Sequence, residues 1–287
     1  MNSSFSHHIL TANTKDIPGV IASIANILLD VNANVTEAGQ FGDDGTGRFY
    51  LRMEFTGVGD KFSLETVEKQ LSAIEEKFDL KWALHNAAQK PKIVLAVSKL
   101  GHCLNDLLFR WETGTLSAEV VAVVSNHDDL REKVEHYGLP FYHLPITKDT
   151  KPEQEAKILK VMEDYDADLL VLARYMQILS EKMCDALEGR AINIHHSFLP
   201  SFKGAKPYHQ AFERGVKIMG ATAHYVTSDL DEGPIIEQDI LRIEHFHHVE
   251  DCVSRGSDVE SLVLARAVNW HCERRILLNG HKTVVFK

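Results

Sequence analysis

The spacing of apolar positions predicts a small unit of alternating strands and helices at the start of the chain. In the first helix the apolar residues recur every three or four positions, as a helix with one buried face requires. The predicted elements are a strand at 5–14, a helix at 20–31, strands at 35–41 and 48–55, a helix at 63–78 and a strand at 80–84. This βαββαβ order is typical of a ferredoxin-like fold.

The pattern of apolar and polar residues changes after a polar stretch at 86–92, which we interpret as a linker. Short apolar strands without polar alternation follow, separated by helices, at 93–97, 120–124, 169–172 and 191–194. Such strands predict an α/β fold with a Rossmann-like, mainly parallel sheet that is covered on both faces. Two further strands, at 221–226 and 235–243, precede a helix at 259–278. We therefore expect one domain at 1–85 and a second at 93–287.

Length and charge narrow the class of protein. At roughly 150 residues per domain, a chain of 287 residues favours two domains. The formal charge of -10 repels phosphate backbones and anionic lipid heads, so neither nucleic acid nor a membrane is an expected partner. No apolar stretch reaches membrane-spanning length and no secretory signal is recognisable, which predicts a cytoplasmic protein.

Candidate chemistry is concentrated at the end of the predicted strand 191–194. Asn193 and His195 stand two residues apart, so their side chains point to the same side. Ligands of parallel α/β sheets bind beyond the carboxyl ends of the strands, where these two residues lie. A structural pair that only orders a turn is the alternative.

A second polar segment lies between the last two predicted strands. Asp229, Asp231 and Glu232 share this loop, which would otherwise be interpreted as a solvated turn. Together with Asn193 and His195, however, the loop would supply an amide donor, an imidazole and a carboxylate. These groups can add a nucleophile to a carbonyl carbon.

Two linked motifs resemble the folate-dependent formyltransferase superfamily. The first is Asn193-Ile194-His195 followed by a segment from Ser197 to Gly204, and the second is Leu230-Asp231-Glu232-Gly233-Pro234. The resemblance covers about residues 92–287. It implies the formyltransferase type of fold and a catalytic triad of Asn193, His195 and Asp231.

The same resemblance implies where the folate binds. The segment 173–180 resembles the loop that faces the pterin ring in that superfamily, with contacts expected from Met176, Gln177, Leu179, Val226, Lys203 and Gly204. Lys203 and Lys206 would offset the charge of the glutamate tail. An ordinary strand-to-helix loop and solvated lysines are the structural alternatives. Because the folate is the substrate, no cofactor is expected.

The segment from Asp16 to Ile21 resembles the start of an ACT domain, a module that often binds amino acids or pairs subunits. This resemblance implies an effector contact at Asp16, Gly19 and Val20, and a homo-oligomer, either a dimer or a tetramer. A purely structural module is the alternative.

The formyl acceptor needs a separate argument. Transferases of this superfamily bind a phosphorylated acceptor on a glycine-rich loop after their first strand. The corresponding segment here keeps only Gly101, beside the bulky Leu100 and His102, so backbone amides cannot easily approach a phosphate.

Water is then the expected acceptor, and an ACT-like unit ahead of a formyltransferase-like domain resembles the hydrolase branch of the superfamily. That branch splits 10-formyltetrahydrofolate into tetrahydrofolate and formate, supplying formate for purine synthesis and balancing folate pools. Transfer to an unphosphorylated amine and a non-catalytic, amino-acid-responsive folate binder remain the alternatives.

No metal site is expected. The histidine pairs at 7–8 and 195–196 and the cluster at 245–248 lack the spacing of zinc ligands. Cys103 beside His102 is interpreted as a small residue at a helix start, because adjacent residues rarely align as nucleophile and base.

Overall fold

A computed structural model describes residues 6–200 and 207–287. The chain divides into two compact units. The first contains the described N-terminal residues up to Gln89, together with Glu273–Asn279 and Val284–Lys287. The second contains Lys90–Cys272 and Gly280–Thr283.

The first unit has the predicted βαββαβ order. Its elements are β1 (Ser6–Lys15), α1 (Val20–Asp30), β2 (Ala33–Asp43), β3 (Arg48–Gly57), α2 (Leu64–Phe78) and β4 (Lys81–Asn86). The strands form an antiparallel sheet in the order β2-β3-β1-β4. α1 buries Val20, Ile24, Ile27 and Leu28, which are among the periodic apolar positions of the sequence. α2 begins after Ser63, whose Oγ accepts a hydrogen bond from the backbone N of Thr66.

The second unit is an α/β fold with a mostly parallel central sheet. Its first elements are β5 (Lys92–Val97), α3 (His102–Glu112), β6 (Glu119–Ser125), α4 (Arg131–His136), β7 (Phe141–His143), α5 (Lys151–Asp164) and β8 (Leu169–Leu172). They are followed by α6 (Glu181–Ala186), β9 (Ala191–His195), α7 (Pro207–Glu213), β10 (Ile218–Tyr225), β11 (Ile235–Arg242) and α8 (Val249–Cys272).

The seven strands lie in the order β11-β10-β9-β8-β5-β6-β7. The five from β9 to β7 are parallel, whereas β10 runs antiparallel to both β9 and β11. The chain leaves β5 towards β6 and later returns to its other side with β8, which makes the gap between β5 and β8 a topological switch point. Ligands of such sheets bind beside a switch point, at the carboxyl ends of the strands.

The predicted helix at 259–278 was wrong at both ends, since α8 begins ten residues earlier and ends at Cys272. Its start is stabilised by Asp251, which accepts a hydrogen bond from the backbone N of His248 (2.8 Å) in the manner of a capping box. Gly256 lies inside this helix, and a glycine weakens a helix prediction. Glycine is needed at this position because a Cβ would lie 2.3 Å from the ring of Tyr208. Arg274, with a φ of +55°, then takes the chain out of helical geometry.

The C-terminal residues depart from the predicted domain division, which assigned everything after residue 93 to the second domain. The chain ends in a hairpin of β12 (Ile276–Asn279) and β13 (Lys282–Val285). Buried Arg52 of β3 donates a hydrogen bond to the carbonyl of Glu273 (2.9 Å), and Arg275 pairs with Glu37 of β2 (2.8 Å). These long-range contacts join Glu273–Asn279 to the first unit, and hydrophobic spacing carries no signal for them.

No helix in the described part of the chain is both long and apolar enough to span a bilayer.

Candidate active site

Three residues that the motifs singled out meet at the wall of one cavity in the second unit. Asn193 and His195 lie on β9, and Asp231 lies in the loop between β10 and β11. Nδ1 of His195 is 3.2 Å from Oδ1 of Asp231, and both side chains are more than nine-tenths buried. In these surroundings the carboxylate can orient the imidazole and receive a proton, while the amide can donate to a polarised oxygen.

The backbone around Asp231 explains the residue types of its motif. Asp231 has a φ of +58°, in the left-handed region that Asp adopts more readily than most residues. Two residues later, a Cβ on Gly233 would lie 1.8 Å from the carbonyl oxygen of Tyr225. Glycine is therefore required there, because the turn presses directly against the end of β10.

His224 is a site residue that the sequence reasoning missed. Its Nε2 is 3.2 Å from Nδ2 of Asn193, and its Nδ1 is 2.8 Å from the carbonyl oxygen of Tyr225. The antiparallel register pairs His224 directly with Asn193 across β10 and β9. Only this register reveals the contact, because the two residues are 31 positions apart in sequence.

The tautomer of His224 follows from its surroundings. Burial lowers the pKa of His224, and this outweighs the hydrogen bond to Tyr225 and the charge of Asp231, which raise it. The ring is therefore neutral at physiological pH, with its proton on Nδ1 facing the carbonyl. Nε2 is then an acceptor, and the Asn193 amide donates to it.

Asp231 is the anion of the site. Burial alone would raise the pKa of Asp231, but the hydrogen bond from His195 and the electrostatic attraction of the same ring outweigh it and lower the pKa. Nε2 of His195 is buried and has no hydrogen-bond partner among the described residues. The site thus combines a fixed carboxylate with a ring nitrogen that can engage a bound group.

The cavity has a volume of about 340 Å³, which is within the usual size range of small-molecule sites. Of the predicted folate contacts, Met176, Gln177, Leu179 and Val226 line it. Lining residues outside that prediction include Leu172, Tyr175, Ile178, Cys184, Thr227, Ser228 and Leu230. Lys203, Gly204 and Lys206 lie outside the described residues. The cavity is therefore mainly apolar, and its polar lining includes Asn193, His195 and Asp231.

The loop 173–180 forms one wall of the cavity, and side chains of other elements hold its backbone in place by hydrogen bonds. Oγ of Ser98 accepts from the backbone N of Met176 (3.0 Å) and donates to Oδ1 of Asn126 (2.7 Å). At the other end of the loop, Glu155 of α5 accepts from the backbone N of Ser180 (2.8 Å). These bonds hold the apolar side chains of the loop towards the cavity.

A second polar cluster lies beside the cavity. Glu260 of α8, with 1% of its side chain exposed, accepts from Tyr208 (2.7 Å) and contacts Nε2 of His102 (2.8 Å) and Nε of Arg174 (3.4 Å). Burial would raise the pKa of Glu260, but these partners together lower it, so the carboxylate stays ionised.

One atom each of His102, Cys103 and Glu260 lie close enough to hold a metal ion in principle. Burial, however, raises the pKa of the Cys103 thiol, and a metal ligand must be a thiolate. Both carboxylate oxygens of Glu260 already have partners. The chemistry of this donor set therefore fits a metal poorly.

In the first unit, the residues of the predicted effector loop line a surface depression of about 580 Å³. Asp16, Gly19 and Val20 are all part of it, together with Phe49. Gly19 precedes α1 with a φ of +98°, a conformation that favours glycine.

Comparison with known proteins places the chain in a family. A model of the formyl transferase family matches residues 91–268. The formyltetrahydrofolate deformylase of Corynebacterium sp. (strain P-1) is 48% identical over 280 residues, 98% of each chain. That of Escherichia coli (strain K12) is 40% identical over 282 residues, 98% of this chain and 99% of its relative.

Solved structures of the same family are similar to this protein. The structure of a formyltetrahydrofolate deformylase from Burkholderia mallei superposes with a TM-score of 0.93 at 48% identity, over 98% of this chain and 100% of that one. A glycinamide ribonucleotide transformylase from Symbiobacterium toebii matches with a TM-score of 0.65 at 29% identity, over 69% of this chain and 95% of its own. The chain therefore belongs to the formyl transferase family and, within it, to the formyltetrahydrofolate deformylases.

Proposed function

We propose that this protein hydrolyses 10-formyltetrahydrofolate to tetrahydrofolate and formate. The observation that carries the proposal is the meeting of Asn193, His195 and Asp231 at the wall of one apolar cavity. Similarity to deformylases over 98% of the chain supports the same conclusion. The proposed reaction needs water and the folate, and no further cofactor.

The geometry suggests a role for each group. Water adds to the formyl carbon, and the carbonyl electron pair moves to oxygen, where the amide of Asn193 and the protonated ring of His195 stabilise the oxyanion. Asp231, ionised and 3.2 Å from His195, orients the water and accepts its proton. The C–N bond then breaks, its electron pair returns to the folate nitrogen with a proton, and formate leaves.

The walls of the cavity suit the rest of the substrate. We propose that Met176, Gln177, Leu179 and Val226 contact the pterin, since all four line the cavity. Lys203, Gly204 and Lys206 stay sequence-based predictions for the folate's charged tail.

The surroundings of α3 support water as the acceptor. His102, the first residue of α3, contacts the buried, ionised carboxylate of Glu260. A helix N-terminus that binds phosphate needs open backbone amides and no neighbouring anion. A phosphorylated acceptor is therefore disfavoured here.

For the first unit we propose an ACT-type regulatory or pairing module. Its βαββαβ order and the depression at Asp16, Gly19 and Val20 support this assignment. An amino-acid effector at that depression and assembly into a dimer or tetramer belong to the same proposal. A cytoplasmic location likewise stays a prediction.

A formate-release assay tests the reaction. Purified protein is incubated with 10-formyltetrahydrofolate in buffer without any amine, and formate and tetrahydrofolate are quantified together. We expect equal amounts of both products, and strongly reduced amounts with Asp231→Asn. If turnover required an added amine, the protein would be a transferase, and if the folate bound without turnover it would be a binding protein.

A further inference from the structure

Arg174 has no part in the proposed mechanism, although it lines the same cavity as Asn193 and His195. It follows β8, at the carboxyl edge of the sheet, and only 8% of it is exposed. Among the lining residues in the described part of the chain, it alone has a permanent positive charge. Its position raises the question of which anion it faces.

Glu260 holds Arg174 from one side. The contact joins Nε of Arg174 to Oε2 of Glu260 at 3.4 Å, while His102 and Tyr208 contact the same carboxylate. Replacing buried ion pairs by apolar residues often costs no stability, so a pair kept beside a cavity suggests a functional role.

The guanidinium of Arg174 has a hydrogen-bond donor without a partner among the described residues. Nη1 of Arg174 is buried and makes no hydrogen bond to a described residue, whereas Nε already faces Glu260 across the ion pair. Leaving a buried donor unsatisfied is unfavourable, and the two Nη groups of a guanidinium can make two parallel hydrogen bonds to one carboxylate. A small carboxylate in the cavity would satisfy these requirements.

The proposed reaction generates such a group. Hydrolysis consumes one water and forms one C–O bond as the C–N bond breaks, so the formyl group leaves as formate with release of a proton. Transfer to an amine would instead leave a neutral formamide, which does not need a cation.

We propose that Arg174, positioned by Glu260, binds the formate formed in the cavity through its guanidinium. The inference rests on the proposed hydrolysis and deepens it. Glu260 offsets part of the charge of Arg174, which keeps formate binding weak enough for the product to leave.

Product inhibition tests the inference. Initial rates of tetrahydrofolate formation are measured with added sodium formate, using sodium chloride at equal ionic strength as the salt control. Formate should inhibit the wild type more than chloride does. In Arg174→Gln, we expect the formate inhibition constant to rise at least about tenfold, as loss of a hydrogen bond to a charged group implies. The KM for the folate should change less than about twofold.

Arg174→Lys keeps the positive charge but loses the two parallel donors of the guanidinium. Its formate inhibition constant should therefore lie between those of the wild type and Arg174→Gln. Arg131→Gln, at a half-exposed ion pair with Asp128 at the start of α4, is the matched control and should behave as the wild type. Thermal unfolding of each variant shows whether it folds.

Two results would overturn the inference: wild-type rates no more sensitive to formate than to chloride, or an unchanged formate inhibition constant in folded Arg174→Gln. If the wild type released no formate at all, the proposed function would fail. Calorimetric titration of the wild type with formate would then still test the binding site by itself.

Discussion

Nδ2 of Asn193 lies 3.2 Å from Nε2 of His224, across the antiparallel pair β9 and β10. Since the proton of neutral His224 is on Nδ1, its Nε2 accepts one N–H of the Asn193 amide. We expect the second N–H of that amide to donate to the substrate, because Asn193 lines the cavity. We therefore expect His224 to be a positioning residue that acts through Asn193.

Replacing His224 should affect turnover more than binding. His224→Phe removes the acceptor but keeps a ring of similar size, and we expect kcat to fall about tenfold, equivalent to one lost hydrogen bond. KM should stay close to the wild-type value. His224→Gln, which can again present an acceptor, should recover most of the loss. Equal activity of the Phe and Gln variants would contradict this role.

Direct removal of the oxyanion donors should have a larger effect. Asn193→Ala and His195→Ala should each lower kcat for formate release by about a hundredfold to a thousandfold, or about 2.7 to 4 kcal/mol of barrier. His136→Ala, at an exposed position of α4, is the control and should keep full activity. Near-native turnover in either site variant would show that the assignment is wrong.

Gly233 should be required for the geometry of Asp231. In Gly233→Ala the new Cβ would clash with the carbonyl oxygen of Tyr225, so the loop must shift and carry Asp231 away from His195. A misplacement of about 1 Å can lower activity about a hundredfold. Gly215→Ala is the control, because its Cβ would meet nothing within 4 Å and only its φ of +68° would be strained. That strain should cost about 1 to 2 kcal/mol of stability without lowering kcat.

Stability should fall as the pH drops below the ordinary pKa of histidine. Burial, together with the charge of Arg174, lowers the pKa of His196 from 6.5 to about 3. Between these values the unfolded chain binds a proton at His196 that the folded protein does not, so the free energy of unfolding decreases with decreasing pH. The free energy of unfolding, measured with urea at several pH values in this range, should depend less steeply on pH in His196→Asn than in the wild type. His136→Asn should leave the slope as in the wild type, and equal slopes in all three proteins would refute the prediction.

The apolar wall should contribute to folate binding. Met176 is 55% exposed in the cavity wall, and a bound pterin would cover it. Met176→Ser should therefore raise KM about five- to tenfold with little change in kcat, given the transfer free energy of a partly buried methionine. Leu29→Ser, which removes an exposed apolar side chain from α1, should leave KM unaltered.

The sequence by itself determined the local order of elements and the residue types of the site. The period of apolar positions predicted α1 and the short buried strands because it depends only on neighbours in sequence. The Asn-x-His and Leu-Asp-Glu-Gly-Pro motifs likewise singled out Asn193, His195 and Asp231, which line one cavity. Both kinds of signal are contained within short segments.

Tertiary structure alone decided which distant residues meet. The direction of β10 against β9 places His224 on Asn193, and the packing of α8 brings Glu260 to Arg174, 86 positions earlier in the chain. The contacts of Glu273 and Arg275 with β3 and β2 are likewise not predicted by the spacing of hydrophobic residues. Strand direction, register and buried ion pairs depend on how the whole chain packs, so no local pattern encodes them.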